Sequence, residues 1–365
     1  MKIVDITRAL EVVAPPSLQE DYDNAGLLTG NPDTTCTGVL VALDVTEEVI
    51  LEAAGKKCNL VVAHHPLIFR GLRSLTGNNF VERTVIRAIQ QDMAVYAVHT
   101  NLDNVLPGVN GAIAQQLDLR NVRVLRPRER TLEKLVTFCP GKNAGAVREA
   151  LFRAGAGTIG NYSECSFNVS GSGTFKAAPG AHPHVGTIGE LHHEEEIRIE
   201  VIFPSHARSQ LVAALRQAHP YEEPAYDLYP LNNTHSDTGS GVIGELPADL
   251  DEAGALRLLK NVFRTGVIRH TPLRGQNLRT IAVCGGSGRF LLPDAIRAGA
   301  GLYVTSDLKY HEFFDADGRI VLADIGHYES EQFTIGLIVD ILRQKFPTFA
   351  VLKTETNTNP VTYFI

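Results

Sequence analysis

The chain alternates short apolar runs that end in polar residues with longer segments whose apolar positions recur at a helical period. "GVLVALDVT" from Gly38 predicts a strand, "EEVILEAAGKK" from Glu47 a helix, "NLVVAHH" from Asn59 a strand, "NFVERTVIRAIQQD" from Asn79 a helix and "MAVYAVHTNLD" from Met93 a strand. Repeated β-α-β implies a largely parallel sheet with helices on its faces, because parallel neighbours need a crossover long enough to hold a helix. The opening "MKIVDITRALEVVAPP" mixes charged residues into its apolar period and reads as a helix, not a signal peptide. The pattern returns late in the chain. "RTIAVCGGSG" from Arg279 is a strand and turn, "FLLPDAIRAG" a helix, "GLYVTSD" and "RIVLADIGH" strands, and "ESEQFTIGLIVDILRQKF" from Glu329 one helix.

Between the two halves lies a different pattern. "LEKLVTFCPGKNAGAVREALFRAGAG" from Leu132 and "EEIRIEVIFPSHARSQLVAALRQAHP" from Glu195 each read as strand, polar turn and amphipathic helix, followed by a further extended segment. Two such units in tandem predict a small ferredoxin-like α+β insert. "RPRERT" enters it and "LNNTHSDTGSG" leaves it. The expected organisation is a core first half at 1–127, an insert at 128–238 and a core second half at 239–365.

Composition narrows the class. The 365 residues are 44% hydrophobic and 21% charged, enough for a well-buried core. A formal net charge of −7 leaves no general basic field for phosphates, which argues against nucleic acid as a partner. Five scattered cysteines without a C-x-x-C pair read as core thiols of a reducing compartment, and no apolar run is long enough to span a bilayer. The expectation is a cytoplasmic protein.

The chemistry gathers where strands end. His64 and His65 are adjacent, so in a regular strand they would point to opposite faces. Pro66 ends the strand there and frees both rings to approach one site. "MAVYAVHTNLD" delivers His99 and Asp103 at a second strand end, and "RIVLADIGHYESE" delivers His327 and Glu331 at a third. In open α/β sheets, ligands collect outside the carboxyl ends of strands. His327 and Glu331, four apart at the start of a helix, share one face. Imidazole nitrogens mixed with carboxylate oxygens suit zinc, iron, manganese, cobalt or nickel. Five donors, His64, His65, Asp103, His327 and Glu331, exceed what one catalytic zinc with an open position takes and suit two divalent ions sharing a carboxylate, either Glu331 or Asp103. "CGGSG" from Cys284, with Ser287, reads as a substrate edge. "VTSDLKYHEFF" offers Asp307 for substrate contact or support of the ligands, and His99 and His311 are candidates for proton transfer or substrate contact. "LHHEEE" from Leu191 reads as a solvated turn.

Together these stretches resemble the Nif-three-like family, also described as GTP cyclohydrolase 1 type 2 homologues. The resemblance rests on "DNAGLLTG" from Asp23, "LDVTEEVILEA" from Leu43, "AHHPLIFRGL" from Ala63, "HTNLD" from His99, "CGGSG" from Cys284, "SDLKYHE" from Ser306 and "GHYESE" from Gly326. "GSGTF" from Gly171 and "HPYEEPAYD" from His219 are similar to the longer bacterial members, whose insert resembles PII and CutA proteins. The resemblance implies a three-layer α/β core with mixed, largely parallel sheets. It also implies a dinuclear metal site at the five residues named above, and a toroidal homohexamer, a trimer of dimers, with its sites facing an inner cavity. Tyr22 stands where the family usually has tryptophan and Ser306 where it usually has glycine; neither is a proposed ligand.

Two functions follow as expectations. One is a metal-dependent hydrolase acting on a nucleotide or related phosphorylated compound. The other is a non-enzymatic metal-binding or regulatory hexamer whose insert senses a small molecule or binds a partner.

Overall fold

The computed structural model describes residues 1–364. They form two compact units, Met1–Arg126 with the chain from Asp237 onward, and Pro127–Ser236.

The larger unit opens with helix α1 (Ile3–Val13), whose Ile3, Ile6 and Leu10 recur on one buried face. Strands β1 (Gly26–Thr29), β2 (Val39–Ala42), β3 (Leu60–Ala63) and β4 (Ala94–Ala97) follow, with α2 (Glu47–Gly55) and α3 (Phe80–Gln90) as crossovers. β2, β3 and β4 are parallel and every residue in them is buried, as expected when both faces are covered. Val39, Val41, Leu60 and Val62 face one apolar cluster, and Leu40, Ala42, Val61 and Ala63 face another. β1 pairs with β4 antiparallel.

β4 stops earlier than its apolar run suggests. Asp23 accepts the Thr100 N–H (3.1 Å) and the Thr100 hydroxyl, and the chain turns into the short helix α4 (Thr100–Asp103). Helix α5 (Val109–Gln116) and strand β5 (Arg120–Pro127) lead out of this half.

The smaller unit is an antiparallel sheet with two helices. β6 (Leu132–Pro140), α6 (Ala144–Arg153), β7 (Phe167–Lys176), β8 (Leu191–Pro204), α7 (Arg208–Ala218) and β9 (Tyr226–Pro230) run in the order β-α-β-β-α-β, and the sheet order is β7-β8-β6-β9. Leu135, Ile199 and Val201 pack with Val147, Leu151, Leu211 and Leu215 of the helices. "LHHEEE" is not a turn: Leu191 pairs with Lys176 and opens β8, because β7 supplies a partner along its whole length.

The larger unit resumes with β10 (Gly239–Asp251), α8 (Glu252–Phe263), β11 (Arg269–His270), β12 (Asn277–Val283), α9 (Leu292–Arg297), β13 (Leu302–Thr305), β14 (Val321–Asp324), α10 (His327–Glu331), α11 (Thr334–Lys345) and β15 (Val351–Lys353). β12, β13 and β14 are parallel, with β10 and β11 antiparallel beside them in the order β11-β14-β13-β12-β10-β5, while β15 joins the first sheet beside β2. Both sheets are therefore mixed, as expected; the first is largely parallel, and the second has antiparallel strands on both sides of its parallel centre. One apolar cluster joins Val39 and Val62 of the first sheet, Ile281 and Val304 of the second, and Ile6, Ile113, Leu259 and Ile338 of helices lying between them. The single helix expected from Glu329 is two. The Gln332 side chain donates to the Glu329 carbonyl (3.0 Å) and to the Phe263 carbonyl (2.8 Å), diverting an acceptor from the helical ladder. Among the described residues, no helix is long and apolar enough to cross a membrane. All five cysteines are free, and only Cys165 is not buried.

Candidate metal centre

The carboxyl ends of β2, β3, β4, β13 and β14 all deliver residues to one locus. At β3 the ladder runs one step into the doublet: the His64 N–H donates to the Ala42 carbonyl (3.3 Å) and the His65 N–H to that of Leu43 (2.9 Å). Pro66 has no such donor, and pairing ends. The two rings then lie 4.9 Å apart at 44°, and both approach Glu331.

Every histidine of the locus is held through Nδ1. His64 Nδ1 donates to the Val98 carbonyl (2.9 Å), His65 Nδ1 to Asp44 (2.7 Å), His99 Nδ1 to Asp23 (2.7 Å) and His327 Nδ1 to Asp307 (2.6 Å). A partner that only accepts fixes a proton on Nδ1, so Nε2 is the nitrogen open to a cation, which at His65 and His327 would replace the proton that Nε2 donates to Glu331. Glu331 Oε2 lies 2.9 Å from His65 Nε2 and 3.0 Å from His327 Nε2, and its Oε1 lies 3.8 Å from His64 Nε2. Asp103 Oδ1 faces His64 Nε2 at 3.6 Å.

Donor atoms within 4.8 Å of one another form three groups: His64, Asp103 and Glu331; His65, His327 and Glu331; and His64, His65 and His99. Glu331 is common to the first two groups, with one oxygen turned to each. Histidines pinned through Nδ1 by carboxylates or carbonyls are the usual support of metal ligands.

Two observations test whether these residues fit a cation. His64 Nε2 and Asp103 Oδ1 are buried and without a hydrogen-bond partner, an arrangement of facing lone pairs that a cation would satisfy. The electrostatics agree. Burial works against charge on His65 and His327, yet Asp44 and Glu331 lift His65 to about 9, and Asp307 and Glu331 lift His327 to about 11. Burial and the Glu331 charge push Asp103 well above the usual carboxylate range, while the histidines overcome burial and hold Glu331 well below it. Burial keeps His64 low. Such a locus attracts positive charge, and its donors fit borderline divalent ions.

The glycine turn after β12 explains itself here. Gly286 has φ +62°, and a Cβ there would overlap Glu331 Oε1. Its N–H donates to Ser330 Oγ (3.0 Å), which ties the turn to α10. Ser287 is exposed and outside the cluster. Asp307 holds His327 instead of facing the donors directly. His311 is exposed and packs with Tyr310 and Phe314, so the structure does not bring it to the locus. Asp44 and Asp23 are the functional residues that motif reading passed over as ligand supports. Asp44 had a signal: it follows the end of the strand beside the doublet. A cavity of about 720 Å³ opens over His65, His99 and His327, walled by Phe69, Tyr328 and Tyr363.

Residues 1–360 match the family Duf34/NIF3 (NGG1p interacting factor 3). This chain belongs to the Duf34/NIF3 family. Among its relatives is the GTP cyclohydrolase 1 type 2 homolog of Halalkalibacterium halodurans, 39% identical over 372 residues, with both chains covered completely. The solved structure of a Bacillus cereus protein related to NIF3 superimposes with a TM-score of 0.88 at 34% identity, covering 100% of this chain and 99% of that one. A Staphylococcus aureus protein superimposes with a TM-score of 0.78 at 30% identity over the same shares. The mixed α/β architecture is therefore that of Duf34/NIF3 proteins.

Proposed function

We propose that this Duf34/NIF3 protein is a hydrolase dependent on two divalent cations, held by His64 and Asp103 on one side, by His65 and His327 on the other, and by Glu331 between them. The observation that carries the reading is the shared Glu331 carboxylate, one oxygen turned to each donor group. When bound, paired divalent ions supply Lewis acidity and lower the pKa of water towards neutrality. The chain's own residues do the rest. Asp44, Asp307 and the Val98 carbonyl fix the ring orientations. His99, its Nδ1 held by Asp23, presents Nε2 beside His64 and His65 for proton transfer.

The cavity over this locus has the size of a small-molecule site, with Phe69 and Tyr363 offering ring faces; its arginine, Arg269, is already paired with Asp324. The relatives' name supports a nucleotide or related phosphorylated compound as substrate. The β-α-β-β-α-β order supports a ferredoxin-like reading of the insert, and family membership supports assembly as a homohexamer.

The test is turnover. Metal-loaded protein is incubated with GTP, other nucleotides and phosphoesters, and products are read by mass spectrometry beside His65→Ala. Turnover abolished in His65→Ala is the expected result. Retained metal with no turnover of any compound would replace the hydrolase with a metal-binding regulatory protein.

A further inference from the structure

Two insert motifs take no part in the metal centre: "GSGTF" from Gly171 and "HPYEEPAYD" from His219. They meet at a second cavity, of about 560 Å³, within the smaller unit. Phe138 and Arg198 line it, and they alternate with Cys139 and Ile199, which face α6 and α7. The cavity therefore stands on the sheet face turned away from the helices. Residues 177–184 form its outer wall, held by the His182 N–H donating to Glu222 (3.0 Å).

The lining is organised around Tyr221. Its N–H donates to His219 Nδ1 (3.1 Å), and His219 Nε2 donates to the Phe138 carbonyl (2.9 Å), so the ring of His219 is a neutral bracket that sets the tyrosine. The Tyr221 hydroxyl donates to Glu196 Oε1 (2.8 Å), and its ring stands 6.3 Å from that of Phe175. The second oxygen of Glu196 lies over Gly173, where any Cβ would overlap it. Glycine at this point of "GSGTF" is thus what lets the carboxylate lie down against the strand.

The charge of the lining is predominantly negative. Glu196, Glu222 and Glu223 face the cavity against Arg198 alone, and Arg198 pairs with Glu200 at 2.9 Å. A phosphorylated or carboxylate ligand would meet three acids. Aromatic faces beside an anchored carboxylate are the recognition chemistry of an organic ammonium.

We propose that this pocket binds a small organic cation, an alkyl- or arylammonium, with its charge beside Glu196 and its apolar part against Phe138, Phe175 and Tyr221. The site is separate from the metal centre and stands without it.

The experiment titrates phenethylammonium chloride into the full chain by calorimetry, with saturation-transfer NMR as a second readout. Neutral phenethyl alcohol and anionic 3-phenylpropionate serve as controls. The ammonium binds and the two controls do not. Glu196→Gln weakens binding about tenfold or more while leaving the thermal unfolding midpoint and the metal content unchanged. Phe175→Ala weakens it as well; should that variant fail to fold, Glu196→Gln decides. No binding of the ammonium at millimolar concentration, equal binding of the alcohol, preference for the anion, or an unaffected Glu196→Gln would each overturn the proposal. So would a change of sedimentation in Glu196→Arg, which would mean that a second copy of the chain covers this face.

Discussion

Replacing Glu331 by glutamine keeps the shape of the side chain and removes one negative charge that belongs to two donor groups at once. The donor atoms of each group lie within 4.8 Å of one another. A divalent ion among these donors would lie nearer the carboxylate than the donors lie to one another, so the roughly 4 kcal/mol of a unit-charge pair about 4 Å apart at an effective dielectric constant near 20 is a lower bound, and Glu331 is buried, so solvent screens it little. At about 1.4 kcal/mol per tenfold, Glu331→Gln weakens each cation by roughly a thousandfold or more. Asp103 belongs only to the group with His64, so Asp103→Asn releases one ion in preference to the other. The assay is metal content by inductively coupled plasma mass spectrometry after dialysis against a graded chelator, with a thermal melt confirming cooperative folding. Glu331→Gln loses both ions and Asp103→Asn one. A Glu331→Gln protein that retained both ions at the parent's affinity, or lost only one, would refute the shared-carboxylate geometry.

Asp44→Asn leaves every donor in place but loosens the hold on His65, so metal affinity falls about 10- to 100-fold in a chelator competition titration; an unchanged affinity would deny Asp44 its orienting role. Gly286→Ala combines a left-handed backbone with overlap on Glu331, costing about 1–3 kcal/mol in chemical denaturation and lowering metal content; a variant with parental stability and metal would contradict the close approach. Glu52 gathers Lys56, the hydroxyls of Thr354 and Thr356 and the Glu355 N–H. Burial opposes its charge, but these donors bring it down to about 2. A depressed folded-state pKa stabilises above the unfolded value near 4.5 and loses that contribution as pH falls towards 2. Glu52→Gln is therefore less stable than the parent at pH 6, by at most about 3 kcal/mol, and the gap narrows by pH 3 in urea unfolding; a gap independent of pH would rule out the linkage.

The residues that could be read ahead of the structure are those whose chemistry follows an apolar run. His64, His65, His99, Asp103 and His327 stand just beyond strands whose every residue is buried, so the pattern placed them at a common rim. Asp23 and Asp44 were harder to assign. Each is one acidic residue near a turn, and its task becomes visible only when a histidine 76 or 21 positions away closes on it. Ser287 and His311 stood near the right strand ends and still missed the locus. Neither local pattern nor spacing fixes where a side chain points after the strand has ended. The break at Gln332 was hidden for a related reason, since its side chain finds an acceptor, Phe263, on a different helix.

His65 and Glu331 meet across 266 positions of sequence. A ribosome adding about 5–20 residues per second spends roughly 13–53 s between these two donors. For that interval the emerging chain carries its histidine doublet with no shared carboxylate to close the cluster. Closure of the donor cluster thus belongs to the finished polypeptide, as does completion of the first sheet, which β15 joins beside β2.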